Sequence, residues 1–309
     1  MENSRESVAV VSVTYNSSRL LRDLIASLGP GLQGLNWHLT VADNASADDS
    51  AAEVRRLDPT ARVVEMGRNA GYAAGINAAV AAAPPHTAIL VLNPDVRLRA
   101  GCGPALVANM RRTGAGIVVP RLERGDGSAI AVLRREPSVP RALGDALLGA
   151  TRAGRYPLLG ELVVGDEHYR QESSADWAAG SAMLIDRACW DALGQWDESF
   201  FLYSEETEYS LRARDAGFVT RLAPDALATH LEGDSKVSPR LWALLTVNRV
   251  RLFRRRNTAA STAAYWAALL LREASRSVRG NQASRAAAAS LLSRSRMRQA
   301  PGPTWGLEI

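Results

Sequence analysis

Strand-length apolar runs alternate with helical stretches through the first hundred residues, and this alternation limits the fold more than any other feature of the chain. Residues 8–13 form a β-rich apolar run. Leu20, Leu21, Leu24, Ile25 and Leu28 follow at helical spacing, and Gly29-Pro30-Gly31 is expected to stop that helix. Residues 37–42 read as a second strand, 48–57 as a helix, 62–65 as a short strand and 72–83 as an Ala-rich helix ended by Pro84-Pro85. A fourth strand, 87–92, ends in Asn93-Pro94-Asp95. Strands that alternate with helices imply an α/β fold with a mostly parallel sheet and right-handed crossovers.

In such a sheet, ligands gather at the carboxyl ends of the strands. Pro94 lacks a backbone donor and stops the ladder, so Asp95 is presented at the sheet edge. A carboxylate there suits a hard divalent cation holding a diphosphate; the bland alternative is a turn Asp beside a proline. Thr14-Tyr15-Asn16 follows the first strand and Asp43-Asn44-Ala45-Ser46 the second. Asp43 can accept from the N3–H of a uracil or thymine ring, or it can cap the next helix. Gly67-Arg68-Asn69-Ala70-Gly71-Tyr72 combines glycines that permit left-handed turns with a guanidinium able to reach phosphate. The same small residues, Gly75 among them, could simply pack a helix on the sheet.

Beyond residue 101 the pattern loosens. Residues 117–120 could form a strand, whereas 121–175 are rich in Gly, Pro and charge and read as a mobile or inserted segment. Order returns at 177–185 with Trp177 and Gly180-Ser181. An aromatic run then leads to Glu205, Glu206 and Glu208 at the start of a helix. The helix macrodipole stabilises acids there, and Glu208 can pair with Arg212 four residues on, so Glu208 is read as structural. Glu205 and Glu206 follow aromatic residues that would dry the site, which suits a general base. His230 closes a strand expected over 225–229; it is either structural or the imidazole that completes the site of Asp95.

The 309 residues are 47% hydrophobic and can bury a full core. Cys102 and Cys189 are too few for a disulfide framework, and the polar start, 1–7, lacks the apolar core of a signal peptide, so a reducing, cytoplasmic protein is expected. The net charge is +5, yet Lys236 is the only lysine. From Arg240 onward there are many arginines and only Glu273 and Glu308 as acids, an asymmetry that suits an anionic partner, either membrane or nucleic acid. An apolar stripe from Leu241 to Phe253, interleaved with Arg249, Arg251, Arg254, Arg255 and Arg256, has the composition of an interfacial helix or of a helix covering a core. Residues 283–292 are helical by composition, and the tail from Pro301 is expected to fray.

Taken in order, Thr14-Tyr15-Asn16, Asp43-Asn44-Ala45-Ser46, Arg68-Asn69-Ala70-Gly71-Tyr72, Asn93-Pro94-Asp95, Trp177 with Gly180-Ser181, Glu205-Glu206 and His230 resemble an inverting family 2 glycosyltransferase, over roughly residues 8 to 256. Within that family the chain is most similar to the rhamnosyl branch, whose actinobacterial members move rhamnose from dTDP-rhamnose onto N-acetylglucosaminyl-diphosphoryl-polyprenol. The resemblance implies a GT-A fold, Rossmann-like, with a mostly parallel sheet flanked by helices and a helical C-terminal extension. It implies a nucleotide-sugar-binding half at 1–100, an acceptor-binding and catalytic half at 101–235 and a basic helical region at 236–309. Thr14, Tyr15, Asn16, Asp43, Asn44, Arg68, Asn69, Gly71 and Asn93 would bind the nucleotide. Asp95, with His230, would hold Mg²⁺ or Mn²⁺; Asn93 stands where the family's metal motif usually has its first acid. Trp177, Gly180 and Ser181 would bind the acceptor. Glu206 matches the acid of the family's Glu-Asp motif, which here reads Glu-Glu, so either Glu205 or Glu206 could reach the acceptor hydroxyl.

The implied partners are a dTDP-sugar donor, a polyprenyl-diphosphate-linked glycan, a peripheral membrane surface on the inner face, and a homo-oligomer as an open option. UDP-galactofuranose or UDP-N-acetylglucosamine would use similar motifs. A sugar-nucleotide pyrophosphorylase needs a Gly-rich, basic loop after the first strand, which Thr14-Tyr15-Asn16-Ser17-Ser18 does not supply. A nucleic-acid-binding protein would account for the basic C-terminal part but not for the acids at Asp95 and Glu205-Glu206, so no nucleic acid is expected.

Overall fold

The computed structural model describes residues 6–231 and 238–305. Most of the polar N-terminus, Glu232 and Gly233 after His230, the boundary at 235/236, Lys236 and Glu308 lie outside the described residues. The first half builds β1 (Ser7–Thr14), α1 (Ser18–Gly31), β2 (Asn36–Asp43), α2 (Ser50–Leu57), β3 (Arg62–Glu65), α3 (Tyr72–Ala82) and β4 (Ala88–Leu92). It continues through β5 (Val96–Leu98), α4 (Cys102–Thr113) and β6 (Ile117–Glu123). Then come β7 (Leu133–Arg134), α5 (Val139–Leu148), α6 (Ala150–Ala153), α7 (Glu167–Arg170), β8 (Ser173–Ala175), β9 (Trp177–Ala178) and β10 (Ala182–Asp186). The last part holds α8 (Arg187–Leu193), α9 (Glu205–Asp215), β11 (Thr220–His230), α10 (Pro239–Arg256), α11 (Ala259–Val278), α12 (Gln282–Leu292) and α13 (Arg294–Arg298).

The main sheet runs β3-β2-β1-β4-β10-β6-β11-β5, with β8 on β11. β1, β2, β3 and β4 are parallel, as the alternation predicts; β10 runs antiparallel between β4 and β6. All five residues of β4 are buried, because helices cover both faces of the parallel part and leave no polar side. The antiparallel pairing of β5 with β11 sets Val96 opposite His230. β11 starts at Thr220, well before the expected 225, and absorbs an irregular step between Ala223 and Leu227, where Pro224 interrupts the alternation.

Three expectations are corrected. First, Gly29-Pro30-Gly31 ends α1 from inside its last turn rather than from beyond it: the helix carries Pro30 and stops at Gly31, and buried Leu21, Leu24 and Leu28 hold it on the sheet. Second, residues 121–175 are built rather than mobile. Their elements are too short for a periodic signal, and polar ties do the fastening. The Arg135 guanidinium donates to the carbonyls of Gly154, Gly160 and Leu162, and the Tyr169 hydroxyl bridges Leu133 and Val163. Third, the described part of the tail, residues 301–305, is fastened rather than frayed: Trp305 is buried under Arg251 and Arg296.

The stripe on α10 resolves as core. Leu244, Val247, Val250 and Phe253 are buried with Tyr265, Leu269 and Leu291 in a second apolar cluster, where Phe253 stacks on Tyr265 at 4.1 Å. Among its arginines, Arg249, Arg255 and Arg256 meet acids. Arg255 pairs with Asp197, and Arg256 with Asp215 at 2.6 Å and Glu136 at 3.2 Å. The helix therefore clamps the C-terminal region onto the sheet domain with its apolar stripe buried.

Candidate active site

The carboxyl ends of β1, β2 and β4 lie side by side, and their loops are stitched to one another. Thr14 stands opposite Asp43 in register and donates its hydroxyl to Oδ1 at 2.8 Å. The same carboxylate accepts from the Ser46 amide at 3.0 Å and the Ser46 hydroxyl at 2.6 Å. Asp43 thus folds its own turn and does not cap a helix; α2 begins later, after Asp49. Asn16, at φ +52°, accepts from the Ala47 amide, which ties the first loop to the second. Tyr15 and Asn69 are half-buried beside them.

Asn44 anchors the glycine-bearing loop. Its amide donates to the Gly71 carbonyl at 3.0 Å and its oxygen accepts from the Ala70 amide. Gly71 has φ +95°, and a Cβ there would stand 2.3 Å from the Phe201 carbonyl oxygen, so no other residue fits. The following amide, of Tyr72, donates to that oxygen at 2.7 Å. Gly75 serves packing: a Cβ would meet Val13 at 2.7 Å. Arg68 is exposed and has no ion-pair partner among the described residues.

The end of β4 joins this half to the acceptor side. The Asn93 amide donates to the Ser181 carbonyl at 2.8 Å. The Tyr72 hydroxyl donates to Asn93 Oδ1 at 2.6 Å and reaches the Gly180 carbonyl at 3.3 Å. Gly180 lies so close to Glu206 that a Cβ would sit 3.0 Å from the Glu206 Cβ. Burial, then the charges of Glu205, Glu206 and Asp95, holds the Tyr72 hydroxyl well above its ordinary pKa, so it stays a donor.

Asp95 and His230 come together at 3.1 Å, Oδ2 to Nε2, because β5 and β11 pair beside them. The Asp95 carbonyl also accepts from the Leu231 amide. No group of three or more His, Cys, Asp or Glu side chains able to hold a metal occurs among the described residues. A divalent ion here would have one carboxylate and one imidazole from the protein. Adjacent ligands of an octahedral ion at about 2.1 Å stand about 3 Å apart, which this spacing matches. The imidazole suits Mn²⁺ better than Mg²⁺.

α9 presents the two acids after a strained turn. Phe201, Tyr203 and Ser204 all have positive φ, at 64°, 68° and 76°. Such backbone costs about 1–3 kcal/mol per residue and persists only where neighbours impose it. Asn248 on α10 imposes it: its buried amide donates to the carbonyls of Phe200, Leu202 and Tyr203. Sequence reading missed Asn248, since an Asn inside a helix has no local signature. Asn248→Leu is expected to lower thermal stability and to reduce kcat at least about tenfold, with nucleotide binding nearly unchanged; unaltered turnover would show that the strain is irrelevant.

The two glutamates diverge. Glu205 is buried, 2% exposed, with Oε2 lacking a hydrogen-bond partner; burial and then the charge of Glu206 hold it well above the usual carboxylate range. Glu206 is half-buried and lines a cavity of about 310 Å³. Burial raises its pKa, and Arg134 draws it back down. Arg134 was not foreseen; it lines the same cavity, with its guanidinium 5.8 Å from the centre of the Trp177 ring. Trp177 lines the cavity too, fixed by its indole N–H on the Arg135 carbonyl. Glu208 stands apart and pairs with Arg212 at 3.0 Å, as its spacing predicts.

A family profile described as Glycosyl transferase family 2 matches residues 9–153, and one described as Glycosyltransferase like family 2 matches 134–291. The chain belongs to glycosyltransferase family 2. It is 29% identical over 243 residues to the N-acetylglucosaminyl-diphospho-decaprenol L-rhamnosyltransferase of Mycobacterium tuberculosis, covering 73% of this chain and 76% of that one. Among solved structures, the mannosyltransferase PcManGT from Pyrobaculum calidifontis in complex with GDP-Man and Mn²⁺ aligns with a TM-score of 0.56 at 16% identity, over 99% of this chain and 79% of that one. TarS of S. aureus aligns at 0.52 and 13% identity, over 86% of this chain; the match spans 42% of the TarS chain. The fold of this family 2 enzyme is accordingly GT-A, with a helical C-terminal region.

Proposed function

We propose that this enzyme transfers L-rhamnose from dTDP-rhamnose to a polyprenyl-diphosphate-linked N-acetylglucosamine, with inversion at the anomeric carbon. One observation carries the reading. Glu206 opens into the cavity lined by Trp177, while Gly180-Ser181 beside it is hydrogen-bonded to Asn93, two residues before Asp95. A donor held over the ends of β1, β2 and β4 and an acceptor in the cavity would therefore meet between Asp95 and Glu206. The name of the mycobacterial relative supports the choice of sugar and acceptor.

In this mechanism Asp43, with Thr14 and Ser46 fixing its carboxylate, reads the pyrimidine, and Arg68 reaches the ribose or phosphate. Asn44, Asn69 and Gly71 shape the loop under the nucleotide, and Tyr15 and Asn16 flank it. Asp95 and His230 would hold a divalent ion, whose charge would neutralise the departing diphosphate. Glu206 takes the proton of the acceptor hydroxyl as the new glycosidic bond forms and the bond to the diphosphate breaks. Arg134 opposes the upward shift that burial imposes on Glu206, and Trp177 offers an aromatic face to the acceptor sugar. Glu205, buried beside Glu206, supports the loop.

A donor panel tests the reading. Thermal shift with dTDP, UDP and GDP plus Mn²⁺, followed by turnover of the matching sugar nucleotides, is expected to favour dTDP-rhamnose. Turnover of UDP-galactofuranose or UDP-N-acetylglucosamine instead would move the donor and keep the enzyme class. Asp43→Ala is expected to weaken dTDP and UDP binding alike, by about tenfold or more for a lost charged hydrogen bond. Equal binding of GDP and dTDP by the native protein would contradict a pyrimidine-reading Asp43.

A further inference from the structure

Eleven large apolar side chains are exposed among the described residues, and six of them lie within residues 143–159. Leu143, Leu147 and Leu148 are on α5; Tyr156, Leu158 and Leu159 are on the turn that follows α6. Leu147 is 72% exposed, Tyr156 58% and Leu158 78%. The two segments form one surface. Gly144 of α5 abuts the Leu159 carbonyl so closely that a Cβ would stand 2.0 Å from it, and Arg141 donates to the Pro157 carbonyl at 3.0 Å. α11, packed on α5, adds exposed Leu271 and Val278. An apolar concentration of this kind on an otherwise ordinary surface marks a contact site.

Charge identifies the occupant. Between residues 137 and 160 the only carboxylate is Asp145, which is buried and faces inward. Arg152 and Arg155 are exposed on the same segment, and neither has an ion-pair partner among the described residues. A second copy of the chain docked here symmetrically would set arginine against arginine. An anionic lipid surface instead accepts the leucines into its interface and the guanidinium groups at its headgroups. No helix among the described residues is long and apolar enough to cross a membrane, so the contact is peripheral. The segment also reaches the site: its Asp145 and Ala150 line the cavity that holds Glu206.

We infer that the surface formed by α5 and residues 155–159 docks on an anionic lipid bilayer and sets the mouth of the Glu206 cavity against it. This deepens the reading of a lipid-borne acceptor and rests on that reading only for the cavity's role. Co-sedimentation with vesicles of phosphatidylcholine mixed with phosphatidylglycerol, against phosphatidylcholine alone, tests the inference. The native chain is expected to bind the mixed vesicles, more weakly as salt rises. Leu147→Glu with Leu158→Glu, folded by circular dichroism and thermal melting, is expected to lose binding by more than about tenfold. Arg152→Gln with Arg155→Gln is expected to weaken binding to mixed vesicles about thirtyfold, from about 1 kcal/mol per arginine.

Failure of the native chain to sediment at low salt would overturn the inference. So would native-like binding by the leucine variant, or a concentration-dependent dimer that this variant dissolves without any vesicle binding. Turnover of a water-soluble acceptor by the same variants keeps the two readings apart: preserved turnover with lost vesicle binding supports the surface. Absence of transfer by the native enzyme, with vesicle binding intact, counts against the reaction alone.

Discussion

Glu206→Gln is expected to lower kcat by about two to four orders of magnitude and to leave dTDP binding near its native value, the cost of removing a general base. The geometry separates the two acids that the sequence leaves side by side. Glu206 opens into the cavity with Trp177, whereas Glu205 is buried beneath it. The substitution preserves size and removes only the ability to take a proton. Isothermal titration with dTDP and single-turnover kinetics measure the two effects separately. If Glu205→Gln proves the more damaging change with binding intact, the roles of the two residues are exchanged.

A pH profile adds a second reading of the same group. Burial raises the Glu206 pKa above 4.5, so turnover rises with pH as the carboxyl ionises, through a limb above the ordinary carboxylate range. Arg134 lowers that pKa by its charge. Arg134→Met is therefore expected to move the acid limb to higher pH while kcat on the plateau changes less than at low pH. An unmoved limb would show that the rate does not follow Glu206, or that Arg134 does not govern it.

How much of this was legible depends on the reach of each signal. The parallel half was legible because β1 and β4 are continuous apolar runs, buried on both faces, and local composition alone marks them. The residues at the strand ends followed, since a parallel sheet gathers its carboxyl ends on one side. Asp95 and His230, well over a hundred residues apart, could be offered as a pair from their chemistry, but nothing local placed them together; their contact depends on β5 lying against β11. Residues 121–175 misled because their order comes from Arg135 and Tyr169 grasping distant carbonyls, which leaves no periodicity. The stripe on α10 was ambiguous for a related reason: an amphipathic pattern states that a face is covered but not by what. Arg134 and Asn248 were invisible because their importance lies in what folds against them.

Asp95→Ala is expected to reduce turnover by about three orders of magnitude and to abolish the metal dependence of nucleotide binding. Charge stabilisation by a bound divalent ion is worth several kcal/mol at a transition state, and about 4 kcal/mol corresponds to that loss of rate. Asp95 supplies the one carboxylate of the pair, and Asn93, two residues earlier, accepts a hydrogen bond from Tyr72 and brings no charge. The local fold should survive the change. The chain at residue 95 is held by its own carbonyl, which accepts from the Leu231 amide, and by the pairing of Val96 with His230. Titration of dTDP with and without Mn²⁺, on native and variant protein, separates a lost metal from a lost nucleotide site. The native enzyme should bind dTDP more tightly with Mn²⁺, and the variant should bind it equally weakly under both conditions. His230→Gln should keep part of the metal response and narrow the preference for Mn²⁺ over Mg²⁺, since it exchanges an imidazole nitrogen for an amide oxygen. Native-like turnover by Asp95→Ala, or a metal response that survives it, would remove Asp95 from the diphosphate site and return it to the role of a turn residue.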